Sequence, residues 1–244
     1  MNQLSKLAVI SLTSFFLLLS CAELSEFMES AGGERPLGEQ EVVSALKEAL
    51  EIGAVRAASD ASQTGGFLDN PSLFIAFPPE AQRVERTLRD LGMNALVDDF
   101  VRTLNRSAEE AAAQAAPVFR SAITQMTIQD GFEILRGEDN AATEYFRRTT
   151  TDELQNLFRP VVQQALDNTA ATRYWNDIVT QYNRIPFVQP VETDLARYTT
   201  THATDGLFLL LEEEEKAIRQ DPVKRTTDLL RRVFGHSSLV PQAS

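Results

Sequence analysis

The sequence is short of the residues that most enzyme chemistry uses. One cysteine among 244 residues excludes an intramolecular disulfide and any metal site built from several thiolates. Two histidines leave little for imidazole catalysis or ligation. Basic residues are scarce beside acidic ones, 23 against 35, for a net charge of −12. A surface of that sign does not collect phosphates, which argues against a nucleic-acid partner. G-x-S-x-G, the glycine-rich phosphate loop and H-E-x-x-H are all missing, and with them the usual hydrolase and nucleotide signatures. No catalytic residue, cofactor or metal site is therefore assigned from motifs. No stretch alternates apolar and polar residues for long enough to propose a sheet. What remains is a globular composition, 43% hydrophobic and 24% charged, with room for a proper core.

The first twenty residues read as an address. Lys6 supplies a short positive region, and Leu7 to Leu19 is apolar apart from Ser11, Thr13 and Ser14. That length suits a secretory signal and is short for a membrane span. The stretch ends Leu18-Leu19-Ser20-Cys21, which resembles the bacterial lipobox, with Leu19 bulkier than the usual residue there. The resemblance implies cleavage before Cys21, a diacylglycerol thioether on its sulfur and acylation of the new N-terminus. The alternative is an ordinary signal peptide with an incidental cysteine. One acyl chain holds a protein marginally and two or more hold it stably, so a triacylated Cys21 is a lasting membrane anchor. Ala22, not aspartate, follows the cysteine, and by the same resemblance this implies the periplasmic face of the outer membrane. Loss of Lys6 leaves 22 bases against 35 acids, a charge of −13. Lipid, not charge, would then hold the body at an anionic bilayer.

Residues 21–38 hold Ser25, Ser30, Gly32, Gly33, Pro36 and Gly38 and read as the lipidated N-terminus and a flexible tether. From Glu39 helical spacing sets in at Val42, Val43, Leu46, Ala49, Leu50 and Gly53. Pro79 starts a second helix that stops at Gly92. A long helical stretch over 94–127 contains Pro117, a kink or a new start. Thr127 opens the next helix and Gly137 stops it. Asn140 caps a short one, and Thr150 with Glu153 forms a capping box for another. Residues 170–184 are helical, and 193–220 form a long helix broken near Asp205-Gly206. Asp221-Pro222 opens a last helix ending at Gly235, and 236–244 is a disordered tail. The fold expected is all-α: one domain over 39–235, a bundle of eight to ten helices without a sheet.

Several segments in one order resemble a known family. They are Gly65-Gly66-Phe67, Leu91-Gly92-Met93, Leu104-Asn105-Arg106-Ser107-Ala108-Glu109 and Ala141-Ala142-Thr143-Glu144-Tyr145-Phe146. Asp205-Gly206-Leu207-Phe208, Ile218-Arg219-Gln220-Asp221-Pro222, Arg225-Thr226-Thr227-Asp228-Leu229-Leu230 and Val233-Phe234-Gly235 continue the series. The family is the bacterial envelope proteins of domain of unknown function 4197, and the likeness spans about Glu41 to Gly235. It implies a helical fold, often behind a lipoprotein signal, and supplies no catalytic residues.

Two polar features call for partners. On the helix containing Val97, an apolar stripe runs through Val97, Phe100, Val101, Leu104, Ala108, Ala111 and Ala115. Asp98, Arg102, Asn105 and Glu109 lie together on its flank. They form either a solvated face, with Asp98–Arg102 and Arg106–Glu110 as i,i+4 pairs, or the polar wall of a cleft. Further on, Leu207, Leu211 and Ile218 share a face with Glu214, which is expected to point inward. A buried carboxylate must pair, protonate or bind something, and Arg106 and Arg225 are the candidate partners. Glu212–Lys216 and Glu215–Arg219 are expected as i,i+4 pairs on the other faces. Asn105, Arg106, Glu109, Glu214 and Arg225 are thus the candidate ligand-binding residues, and Cys21 the lipidation site.

Weaker signals fall to ordinary roles. His202 has no spaced ligand partner, and Gly137-Glu138-Asp139-Asn140 reads as a turn with a cap rather than a calcium loop. Phe67, Leu68, Phe74, Ile75 and Phe77 make a very apolar loop, either buried over the helices like a lid or lining an apolar groove. The function expected is a membrane-anchored envelope lipoprotein with a non-catalytic helical domain that binds a partner protein or an apolar ligand. The alternatives are a carboxylate-dependent envelope hydrolase, with Glu214 facing Glu109 or Asp98, and a structural assembly factor.

Overall fold

A computed structural model describes residues 38–168, 172–173, 175–176, 179–180, 183, 194–221 and 231. Among the described residues there are seven α-helices, one 3-10 turn and no strand. They are α1 Glu39–Ser62, the 3-10 turn Pro79–Ala81, α2 Gln82–Asp90, α3 Asn94–Ala112, α4 Ala115–Gln125, α5 Ile128–Arg136, α6 Ala141–Asp167 and α7 Leu195–Gln220. The all-α expectation holds, and the eight to ten helices expected become seven among the described residues. These helices belong to one compact unit that begins at Glu39. The anchor, tether and tail expected at 1–37 and 236–244 lie outside the described residues, as does most of the helices expected over 170–184 and 222–235.

The core forms where α7 packs against α6, α1 and α3, with α3 also on α6 and α1 on α4. The face that α1 buries is largely alanine, including Ala45, Ala49, Ala54, Ala57 and Ala61. Small side chains let neighbouring backbones come close. The larger volume comes from Phe119, Phe146 and Phe208, whose rings stack edge-on at 5.2 Å and 6.4 Å around Phe119. These side chains are fully buried, and each contributes about 1.5–3 kcal/mol on leaving water.

Local end signals acted where they were read at Gly92 and Thr127. Gly92, at φ 81°, ends α2. Its N–H donates to the Arg89 carbonyl, and the Met93 N–H to that of Leu88, the two bonds of a Schellman stop. Thr127 Oγ1 accepts from the Asp130 N–H at 3.1 Å, and the Asp130 carboxylate accepts from the Thr127 N–H at 2.9 Å. The Thr127 hydroxyl also donates to that carboxylate at 2.6 Å, and it, followed by the Thr127 N–H, holds the Asp130 carboxyl below its ordinary pKa. The long stretch breaks at Ala113-Gln114, so Pro117 falls in the first turn of α4, where its missing N–H is not needed.

Two expected breaks are not breaks. Thr150 opens no helix. It sits buried inside the 27-residue α6, and its hydroxyl donates to the Phe146 carbonyl at 2.6 Å. The same helix runs through exposed Pro160, leaving the carbonyl of exposed Asn156 to water. Gly206 does not interrupt α7. It makes room: a Cβ there would lie 2.9 Å from Phe67 Cε1 and 3.2 Å from Leu73 Cδ2. Tertiary contact, not turn chemistry, accounts for this glycine.

Candidate functional site

The apolar loop between α1 and α2 combines the two arrangements expected for it: it is a strap laid over the helices, and one edge of it lines a groove. Phe67, Leu73, Ile75 and Phe77 point inward and are buried, while Phe74 stays 43% exposed. The strap forms no sheet or helix of its own, so its backbone groups need partners, and α3 supplies them. One oxygen of Glu109, Oε1, accepts three N–H groups, from Gly65 at 3.1 Å and from Phe67 and Leu68 at 3.2 Å each. Its other oxygen, Oε2, accepts from Arg106 at 2.9 Å. One turn earlier, Asn105 reads the Ile75 peptide from both sides. Oδ1 accepts its N–H and Nδ2 donates to its carbonyl, both at 2.9 Å. A third tie comes from α7, where the Tyr198 hydroxyl donates to the Ala76 carbonyl at 3.2 Å.

The polar flank of α3 is therefore divided. Asn105 and Glu109 are buried beneath the strap, and Asp98 and Arg102 are exposed beyond its edge. The i,i+4 pairs expected there are replaced. Asp98 takes Arg89 of α2 at 3.0 Å, Arg102 pairs with Asp99, and Arg106 pairs with Glu109 rather than Glu110.

Beside the strap lies a groove of ≈ 480 Å³. Leu68, Phe74 and Phe77 of the strap and Val101 of α3 give it apolar walls, and Ala76 lines it as well. Glu85, Arg89, Asp98 and Arg102 bring charge to it. Arg89 joins α2 to α3 across it, with Glu85 and Asp98 each 3.0 Å away. Their hydrogen bonds, that of Asp98 first, raise the Arg89 pKa above its ordinary value. Behind Phe77 stands Trp175, with ring centroids 5.2 Å apart and Phe100 completing an aromatic triad. The sequence reading missed Glu85, Arg89 and Trp175. The i,i+4 pair Glu85–Arg89 was visible in it, but not that α2 faces the strap.

The inward-facing acid of α7 is Glu215, not Glu214. Glu215 is 8% exposed. Its carboxylate accepts the Ala142 and Thr143 N–H groups at 3.0 Å and 2.9 Å, and the Thr143 hydroxyl at 2.9 Å. It thus caps α6 from another helix, and Asn140, expected in that role, makes no side-chain cap. Arg219 closes the network, binding Glu215 at 2.9 Å and the Ile134 carbonyl at 2.8 Å. The Glu215–Arg219 pair expected at the surface is buried. Glu214 is half-buried and meets Arg56 at 3.4 Å, not Arg106, and Arg225 lies outside the described residues. The reason is angular: one residue is 100° of helix, and Phe208, Leu211 and Ile218 place Glu215 on the buried face as well as Leu207 places Glu214.

With this geometry in place, the chain can be compared with known proteins. Residues 36–235 match a family described as protein of unknown function (DUF4197). The chain belongs to that family. No curated protein and no solved structure matches it. The DUF4197 segment contains the strap, both its clamps and the groove.

Elsewhere in this DUF4197 chain the remaining candidates sit quietly. Glu212–Lys216 pairs as expected, at 2.5 Å. His202 is exposed, with its ring 4.3 Å from that of Tyr198, and partial burial lowers its pKa. No group of three His, Cys, Asp or Glu placed to hold a metal occurs among the described residues. None of the described helices is long and apolar enough to cross a membrane. Cys21 lies outside the described residues.

Proposed function

We propose that this protein is an envelope lipoprotein, anchored through Cys21 at the periplasmic face of the outer membrane, whose helical body is a non-catalytic binding domain. The groove between the strap and α2–α3 is its binding site. One observation carries the reading. The strap has no secondary structure and is nevertheless held at α3 by five hydrogen bonds from Asn105 and Glu109, leaving partly exposed Phe74 beside an open apolar space. Fixed apolar walls with a few placed polar groups are what a binding site needs. The carboxylates support binding rather than hydrolysis. In the groove, Glu85 and Asp98 share Arg89. Glu109 is committed to the strap and Glu214 to Arg56, so neither is placed as a free acid for the carboxylate-dependent alternative.

Native mass spectrometry of the Cys21→Ser chain tests the reading. The expected result is a co-purifying small mass that is lost on denaturation and lost in Ala76→Phe, a substitution at an exposed groove position. The native protein should begin at Cys21 and carry acyl mass there, and Cys21→Ser should keep residues 1–20 uncleaved. An apo mass in both proteins, or a native protein without acyl mass on Cys21, contradicts it.

A further inference from the structure

We infer that the groove takes the hydrocarbon chain of a single-chain carboxylate amphiphile, with its headgroup on Arg102. The inference rests on the reading of the groove as a binding site and names its ligand class. Size decides first between a small ligand and a protein. Ten residues line the groove, against roughly 20–30 a side in a stable protein interface. Its volume of ≈ 480 Å³ falls inside the range of about 300–1,000 Å³ typical of small-ligand sites. Leu68, Phe74, Phe77 and Val101 offer hydrocarbon to a hydrocarbon chain.

Charge decides the headgroup and its place. The chain carries −12 overall, so an anion is repelled from most of its surface. At the groove Arg89 and Arg102 offset Glu85 and Asp98, so the lining is neutral and the place of an anion is set by the one arginine whose partner can be exchanged. Arg89 is held between those two carboxylates and bridges two helices, so it is a poor receptor for a third. Arg102 is different. It is 54% exposed, and its partner is Asp99, 64% exposed and three residues away on the same helix. Such a pair is worth at most about 1 kcal/mol in water, so the guanidinium exchanges Asp99 for a ligand carboxylate at little cost. A guanidinium also receives a carboxylate through two parallel hydrogen bonds. The apolar chain then lies against the strap while the head stays at the solvent edge.

The chain has one tryptophan, Trp175, which touches the groove wall through Phe77. Its fluorescence therefore reports occupancy. The experiment titrates the Cys21→Ser chain with dodecanoate, below its micellar concentration, and with dodecyltrimethylammonium as the cationic counterpart. The expected result is a saturable change with dodecanoate, about tenfold weaker in Arg102→Ala, partly restored in Arg102→Lys and abolished in Ala76→Phe. The cationic amphiphile should bind at least as weakly as dodecanoate binds Arg102→Ala. Positions 76 and 102 are exposed, so the melting temperature should not move.

If both amphiphiles bind alike and Ala76→Phe blocks both, the headgroup assignment is overturned and the groove reading stands. If neither binds while a native mass is still lost in Ala76→Phe, the ligand class is overturned alone. If neither binds and no mass co-purifies, the inference and the reading fall together.

Discussion

Replacing Glu215 by alanine is expected to destabilise the body by about 3–5 kcal/mol, the usual cost of removing one partner of a buried ion pair. Glu215 and Arg219 each show only 6% of their side chains to solvent. Without the carboxylate, the buried Arg219 charge loses its ion-pair partner, although its hydrogen bond to the Ile134 carbonyl remains. The first turn of α6 also loses the acceptor for the Ala142 and Thr143 N–H groups, where negative charge suits the helix dipole. Small domains have about 5–15 kcal/mol in all, so this one substitution removes a large share of the margin. Glu215→Gln keeps an acceptor for α6 and should fall between the two. Replacing both Glu215 and Arg219 by methionine should recover the ionic part only, because the amides of α6 remain without an acceptor. Urea unfolding at neutral pH measures all four proteins. A Glu215→Ala variant within about 1 kcal/mol of the native chain, the scale of an exposed pair, would place this network at the surface.

The second large effect is expected at Glu109, and it should be local. Glu109→Ala leaves three N–H groups of the strap without their acceptor. Each buried one costs about 1–3 kcal/mol when unsatisfied, and that of Phe67 is the most deeply placed. The strap has no ladder to fall back on. It should open at low free-energy cost while the helices stay folded, so amides of residues 65–77 should lose hydrogen-exchange protection ahead of those in α6 and α7. Asn105→Ala should loosen the other end, at Ile75, in the same way. Both variants should weaken any ligand of the groove without touching it, since Phe74 and Phe77 form its wall. Unchanged protection over 65–77 in Glu109→Ala would show that apolar burial alone fixes the strap.

Much of the fold was legible because its signals are local. The stop at Gly92 and the helix start at Thr127 involve residues within five positions of each other, and both lie where they were read. Where a local signal was misread, a distant side chain had overruled it. Thr150 and Glu153 have the spacing of a capping box, but Thr150 faces the core and bonds back to Phe146. Gly206 looks like a break and is the space that Phe67 occupies, 139 positions earlier in the chain. Asn140 is a good cap by type, yet Glu215 arrived at the same N–H groups from α7.

The site was half legible for the same reason. A helical wheel placed Asp98, Arg102, Asn105 and Glu109 on one flank, which is correct. It carries no information on where the strap crosses, and the crossing alone separates buried Asn105 and Glu109 from exposed Asp98 and Arg102. The choice between Glu214 and Glu215 turned on 100° of rotation, which Arg56 and the end of α6 decide from other helices. Ionic partners across helices, Arg89 for Asp98 among them, are beyond any reading by spacing.

If the protein works through the groove beside the strap, its ligand occupies that groove in the cell. The most direct measurement is site-specific photocrosslinking in the intact native cell. A benzophenone amino acid is placed at exposed Gln82, in the groove lining, or at exposed Glu133 on α5, away from that lining. Mass spectrometry of the purified protein then reads the adducts. A discrete adduct of the mass of a single-chain lipid is expected from position 82, and none from position 133. No adduct at 82, or the same adducts from both positions, would show that the protein does not work through the groove.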